Sequence, residues 1–151
     1  MPTDADHDAA FQGSYFALEI DGVSLAWFTG CSGLSMEFDV ISFKEGNGLK
    51  VIERKRAGRP KYSEVVLKRG LTTGREVHAW CKEVVDAAKP TPYKTASIVI
   101  YDRVGAAAAR FNLEGCWPSK MSISDLQAGS DDSMVEELTI QHEFLDWTVP
   151  A

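Results

Sequence analysis

The sequence predicts an α+β domain: a mostly antiparallel β sandwich or partly open barrel of about eight strands, with one α-helix near residues 74–89. Three observations lead to this prediction. Apolar and polar residues alternate over most of the chain, as in strands that bury one face. One central segment instead repeats apolar residues at helical spacing. The length of 151 residues suits one domain with a single core, so we assign 1–151 to one domain.

The first elements are a tail and a hairpin. Residues 1–13 lack periodicity and carry three aspartates and one histidine, which predicts a flexible N-terminal arm. From Tyr15 to Ile20 the pattern alternates, and Asp21-Gly22 then supplies a dipeptide favoured in tight hairpin turns. A partner strand follows, in which the alternation continues through Val23, Leu25 and Trp27.

A third strand has Met36, Phe38 and Val40 on one face. The next segment, 44–61, is rich in glycine and has few large apolar residues, so we predict a long exposed loop or a protruding hairpin. Such a segment inside a small domain is usually functional. It contains two glutamates and seven basic residues, a local net charge of +5: Lys44, Lys50, Arg54, Lys55, Arg56, Arg59 and Lys61.

After a strand at Ser63–Arg69, the helix is predicted from about Gly74 to Lys89. A capping box of Thr73 with Glu76 marks its start. Its inward face would carry Val77, Trp80, Cys81, Val84, Val85 and Ala88. Its outer face would carry Lys82 and three carboxylates: Glu76, Glu83 and Asp86.

Strands also follow the helix. Ser97–Tyr101 and Ala107–Glu114 form a second predicted hairpin, followed by a short strand at Lys120–Ser124 and a long one at Met134–Trp147. A sheet of this kind has open edges. Such edges are a liability in a monomer, but identical copies can pair them and close a ring.

Candidate chemistry is sparse, and we predict no catalytic, metal-binding or cofactor-binding residue and no enzyme. The three cysteines imply neither a disulfide framework nor a paired metal site. His78 and Cys81 lie at i and i+3 on the helix, but no second pair of ligands has suitable spacing. His142 shares strand parity with apolar residues, which predicts a semi-buried imidazole rather than a general base.

The charge distribution leaves two kinds of function open. The chain has a net charge of −6, so residues outside the basic segment carry −11. The basic segment of one copy could therefore attract the acidic body of another. The alternative is a β-barrel that binds single-stranded nucleic acid through residues 44–61, with Tyr62 as a stacking surface. The overall negative charge weighs against it.

A series of motifs, in a fixed order, resembles the family of T4-like tail-tube proteins and the inner tube proteins of extracellular contractile injection systems. Together the motifs span nearly the whole chain. They are Tyr15–Val23, Phe28–Leu34, Phe43-Lys44-Glu45-Gly46, Leu67–Thr72, Trp80 in the helix, Phe111–Lys120 and Glu136–Glu143.

The resemblance implies a structural protein that forms homohexameric rings stacked into a hollow tube. Its partners would be other copies, a contractile sheath, baseplate or hub proteins, a terminal cap, and a cargo effector or DNA in the lumen. We expect assembly in the bacterial cytoplasm and no stable membrane insertion, because no stretch is long enough to span a bilayer. The seven basic residues of 44–61 are predicted to make the contact between rings, and Glu76, Glu83 and Asp86 to face the sheath.

Overall fold

The computed structural model describes residues 15–21, 23–71, 74–87, 90–124, 128–129 and 134–149, with only the backbone given for 23–25 and 47. The predicted arm at 1–13 lies outside these residues. Within them, no helix is long and apolar enough to cross a membrane.

Ten strands and one helix form in this part of the chain. They are β1 Tyr15–Ile20, β2 Val23–Phe28, β3 Gly30–Ser32, β4 Met36–Asn47, β5 Lys50–Tyr62, β6 Val65–Gly70, α1 Glu76–Asp86, β7 Lys94–Tyr101, β8 Ala107–Ile123, β9 Val135–Gln141 and β10 Phe144–Thr148.

Two antiparallel sheets share the long strand β8. The strand order is β2-β1-β7-β8-β9-β6-β3, and β10 pairs with the first part of β8. The bend lies near Gly115, which has a φ of +66°. Pairing with β7 ends at Cys116, and pairing with β9 begins at Trp117. The sheet does not close, so the predicted class, an antiparallel sandwich or open barrel with one helix, is confirmed.

The core lies between the two sheets and beneath the helix. Alternate residues of the central strands are fully buried, as their period-2 pattern requires. Val77 and Trp80 of α1 are buried against the same cluster. The largest fully buried side chains are Phe28, Leu18, Leu67, Ile98, Leu113, Leu138 and Ile140.

Strand boundaries after the helix differ from the prediction. Ala107–Glu114 and Lys120–Ser124 were expected as separate strands, but β8 runs continuously through Gly115, which adopts a φ of +66° that glycine tolerates. The strand expected at Met134–Trp147 is instead two, β9 and β10. Near this break the backbone N–H of Glu143 donates to Glu114 O at 2.8 Å, where the chain crosses from one sheet to the other.

The alternation predicted through Trp27 does not hold to the end of β2. A register shift between Leu18 and Glu19 changes the parity of β2, so that Ala26 and Phe28 are buried. Trp27 is 51% exposed and packs against two tyrosines, with ring centroids 5.1 Å from Tyr15 and 5.2 Å from Tyr101.

The helix is also shorter at its start than predicted. Its N-cap is Arg75, with no side-chain capping bond, so the Thr73–Glu76 capping box does not describe this helix. Glu76, its first residue, instead lies beside Arg69. Val85, predicted to be inward, is 78% exposed.

Candidate assembly surfaces

The predicted basic segment lies within a long two-stranded hairpin formed by β4 and β5. The two strands form a sheet of their own, and neither packs extensively on another element in the described part of the chain. Strands of 12 and 13 residues span about 40 Å at roughly 3.3 Å per residue. At the root, Ser35 Oγ donates to Ser63 Oγ at 2.8 Å.

The hairpin exposes much apolar surface. The three residues predicted to share one face of β4, Met36, Phe38 and Val40, are all exposed in the described structure. Val40 is 67% exposed and Val51 is 71% exposed. Contiguous exposed apolar surface of this kind marks an interaction site in a soluble protein. Eight large apolar residues of the hairpin are exposed: Met36, Phe38, Val40, Ile41, Phe43, Leu49, Val51 and Ile52.

Ion pairs inside the hairpin neutralise part of its positive charge. Arg54 Nε lies 2.6 Å from Glu45 Oε2, and Lys61 Nζ lies 2.8 Å from Asp39 Oδ1. The hydrogen bond from Lys61 to Asp39 raises the pKa of that lysine. Counting the acidic residues at the root, which the prediction left out, the whole hairpin carries +3.

Of the seven basic residues predicted to make the contact between rings, five make no salt bridge within the described residues. The strand register distributes them over both faces of the hairpin. Lys55 lies opposite Ser42, and Arg56 lies opposite Ile41 on the other face. Each face therefore mixes apolar and cationic side chains. The five are Lys44, Lys50, Lys55, Arg56 and Arg59.

Open strand edges form a second kind of candidate surface. β2 ends one sheet and β3 ends the other. Within the described residues, β10 has β8 as its one ladder partner. Beyond Cys116, β8 no longer pairs with β7. In this part of β8, the edge opposite β9 has no described strand partner. Such edges present free N–H and C=O groups that another chain can pair.

The helix holds the three carboxylates predicted to be on its outer face. All three residues are exposed, but two already have partners. Glu76 Oε2 lies 3.6 Å from Arg69 Nη2, and Glu83 Oε2 lies 2.6 Å from Lys94 Nζ. Asp86 makes no salt bridge in the described structure and is therefore the most available of the three for an external cation.

A groove of about 600 Å³ runs between α1 and the residues 117–121 of β8. His78 and Cys81 line it. Burial raises the Cys81 pKa, so its thiol is protonated at neutral pH. Among the residues described, no group of three or more His, Cys, Asp or Glu side chains could hold a metal ion.

His142 is half-buried, and its Nε2 contacts the Ser63 carbonyl oxygen at 2.8 Å, so that Nε2–H donates to it. The contact fits a structural imidazole at the root of the hairpin, as the sequence predicted.

A buried ion pair was missed by the sequence analysis. Arg69 Nε lies 2.6 Å from Glu136 Oε2, and both side chains are almost completely buried. The guanidinium also lies over the Phe28 ring, 5.4 Å from its centroid. Strand parity alone gave no signal for this pair, since the two residues are 67 apart in sequence.

The sequence matches the family model described as T4-like virus tail tube protein gp19 over residues 12–146. No curated protein matches it significantly.

Solved structures share the fold over nearly the full chain. A chain of the PVC sheath–tube complex, an extracellular contractile injection system in its extended state, has a TM-score of 0.78 at 17% identity, with 99% of this chain and 100% of that one covered. The tube-terminating cap of the anti-feeding prophage gives 0.76 at 20% identity, with the same coverage. Hcp1 from Flavobacterium johnsoniae gives 0.52 at 12% identity, covering 89% and 95%.

Proposed function

Because the chain belongs to the T4-like virus tail tube protein family, we propose that it is the structural inner-tube subunit of a contractile, phage-tail-like injection particle. Its copies form hexameric rings, and the rings stack into a hollow tube. This role requires self-association and no reaction at any side chain.

The observation that carries the proposal is the β4–β5 hairpin. A two-stranded sheet is marginally stable in water when nothing packs on it. This one exposes eight large apolar residues and has free edges. Contacts with neighbouring copies would cover these side chains and complete the ladders.

Within a ring, the open sheet edges make the lateral contacts. Edge strands β2 and β10 end the same sheet, so pairing β2 of one copy with β10 or β8 of the next would extend that sheet around the bore. Backbone ladder bonds suit this task because they give a rigid wall.

Between rings, the hairpin makes the contact. Its basic residues Lys44, Lys50, Lys55, Arg56 and Arg59 meet the acidic body of a copy in the next ring, while Arg54 and Lys61 mainly hold the hairpin together through their own ion pairs.

The helix faces the surrounding sheath through Glu76, Glu83 and Asp86, of which Asp86 makes no salt bridge within the described residues. Baseplate or hub proteins start the tube, a terminal cap ends it, and a cargo effector or DNA occupies the lumen. The tube assembles in the bacterial cytoplasm. The neighbours in sheath–tube, cap and baseplate assemblies support the sheath, the cap and the baseplate as partners.

The nucleic-acid-binding alternative is not favoured. The hairpin carries +3 rather than +5 when its whole length is counted, and two of its cations are already paired. Its aromatic side chains, Phe38, Phe43 and Tyr62, are spread over both strands rather than gathered into a stacking surface.

Negative-stain electron microscopy of the purified protein tests the proposal, alone and with tail-initiating components. We expect rings or tubes. The double variant Lys55→Glu, Arg56→Glu should lose tubes but keep its circular dichroism spectrum, whereas Val104→Ala, an exposed change in a turn, should assemble normally. A protein that stays monomeric at high concentration under all these conditions contradicts the proposal.

A further inference from the structure

Edge strand β10 is exposed along most of its length. Of its five residues, only Leu145 is buried. Phe144 is 45% exposed and Trp147 is 54% exposed, although Trp147 stacks on Phe111 with ring centroids 6.2 Å apart. One side of the strand pairs with β8, and the other has no described strand partner.

Carboxylates cluster on one face of this edge. Phe144 lies opposite Glu114, and Asp146 lies opposite Asn112, so that these side chains share a face of the β8–β10 ladder. Glu143 lies beside them, over Gly115. We call Glu114, Glu143, Phe144 and Asp146 the acidic strip. Its three carboxylates are exposed, and none makes a salt bridge in the described structure.

The hairpin has the complementary pattern. Its faces combine exposed apolar side chains with cations that make no salt bridge within the described residues, such as Lys55 and Arg56. An exposed phenylalanine flanked by unpaired carboxylates fits such a surface in both charge and apolar character.

We propose that the acidic strip of one copy receives the β4–β5 hairpin of a second copy. The inference deepens the proposed function, on which it rests, by assigning the receiving surface for the contact between rings.

The position of the strip explains why the occupant comes from another copy. Tyr62, at the root of the hairpin, packs on Phe144 with ring centroids 5.9 Å apart. The strip therefore lies beside the root of its own hairpin, while the far end lies about 40 Å away. A hairpin that reaches the root region of the next copy makes a head-to-tail contact, and such contacts repeat without limit along an axis.

A charge-swap experiment tests the inference. One variant reverses the strip, Glu114→Lys with Asp146→Lys. A second reverses the hairpin, Lys55→Glu with Arg56→Glu. A third combines all four changes. Each double variant should raise the protein concentration needed for tube growth by more than about tenfold, because like charges now meet. The combined variant should regain most of the growth, because opposite charges meet again.

Arg103→Glu is the matched control, since it reverses an exposed charge that makes no salt bridge within the described residues and lies outside the strip, in the turn between β7 and β8. It should leave tube growth unchanged in the absence of sheath. Circular dichroism and thermal melts confirm that each variant is folded. If a reversed strip proves unstable, the milder Glu114→Gln, Asp146→Asn should still raise the critical concentration.

The outcomes separate the two claims. Normal tubes from the strip variant overturn the inference and leave the proposed function standing. Loss of growth in both double variants without recovery in the combination also places the receiving surface elsewhere. If the wild-type protein forms no rings or tubes, the proposed function itself fails.

Discussion

The buried ion pair between Arg69 and Glu136 provides a sharp test of how much a buried charge pair between neighbouring strands of one sheet contributes to stability. The residues lie directly opposite each other on β6 and β9, and their side chains are 8% and 6% exposed. Arg69→Met would leave Glu136 charged and buried without its partner. Breaking a buried pair in this way costs about 3–5 kcal/mol, because a charge out of water loses its compensation.

The Glu136→Gln variant should cost less. Arg69 would keep Glu76, at 3.6 Å, and the Phe28 ring beneath it. Replacing both partners, Arg69→Met with Glu136→Leu, should be less destabilising than Arg69→Met alone, since neither charge then needs burial.

Urea unfolding of dilute protein at pH 7, followed by circular dichroism, measures these free energies. Lys68→Met is the matched control, because Lys68 and Glu137 form the adjacent pair on the same ladder at 3.8 Å, but exposed. Such a pair contributes about 0–1 kcal/mol. If Arg69→Met and Lys68→Met lower the free energy of unfolding equally, the reasoning about burial is refuted.

Three further predictions concern stability. Leu138→Ala should lower the free energy of unfolding by about 2–5 kcal/mol in urea titrations, since Leu138 is fully buried between the sheets, and a loss below about 1 kcal/mol would contradict that position. Gly33→Ala should lower the melting temperature more than Gly48→Ala. Both glycines have positive φ, but of the two only Gly33 would place a Cβ against the backbone beside the hairpin root. Equal losses of melting temperature would argue against this contact. Burial raises the pKa of Cys31 to about 11 and of Cys116 to about 12 from 9.0, so the folded state holds these protons more tightly than the unfolded state. The contribution of these protonated thiols to stability is complete below pH 9 and is lost as the pH rises towards 11–12. Cys116→Ala should therefore flatten the fall in melting temperature above pH 9. An unchanged slope would count against this prediction.

Much of the fold follows from local pattern. The hairpin at β1 and β2 and the helix were predictable because alternation, an Asp-Gly turn and a 3.6-residue period each act over a few residues. The alternation through Trp27 failed because a register shift reverses parity, and the shift depends on pairing with β1. The continuity of β8 and the break before β10 were also beyond local pattern, since both arise where the chain changes sheets.

The candidate surfaces were also predictable only in part. Composition located the basic segment, because glycines and cations stand out in any sequence. Pairing decided which cations remain free: Arg54 and Lys61 were indistinguishable from Lys55 until the register brought Glu45 and Asp39 beside them. The acidic strip could not be predicted from the sequence for a related reason. Glu114 and Asp146 meet only because β10 pairs with β8.

The exposed hairpin also constrains how copies assemble. Fully burying an apolar side chain contributes roughly 1.5–3 kcal/mol, and seven of the hairpin's eight are already partly covered, so further burial of the eight supplies on the order of 7–14 kcal/mol. Bringing two molecules together costs an estimated 4–15 kcal/mol. One hairpin contact is thus of the same order as that cost and holds a pair of free copies only weakly. A copy that joins a growing tube makes edge pairing and hairpin contacts at once, while the association cost arises once. Growth on an existing ring is therefore favoured over dimerisation in solution, which keeps a chain with so much exposed apolar surface from associating before a ring exists to receive it.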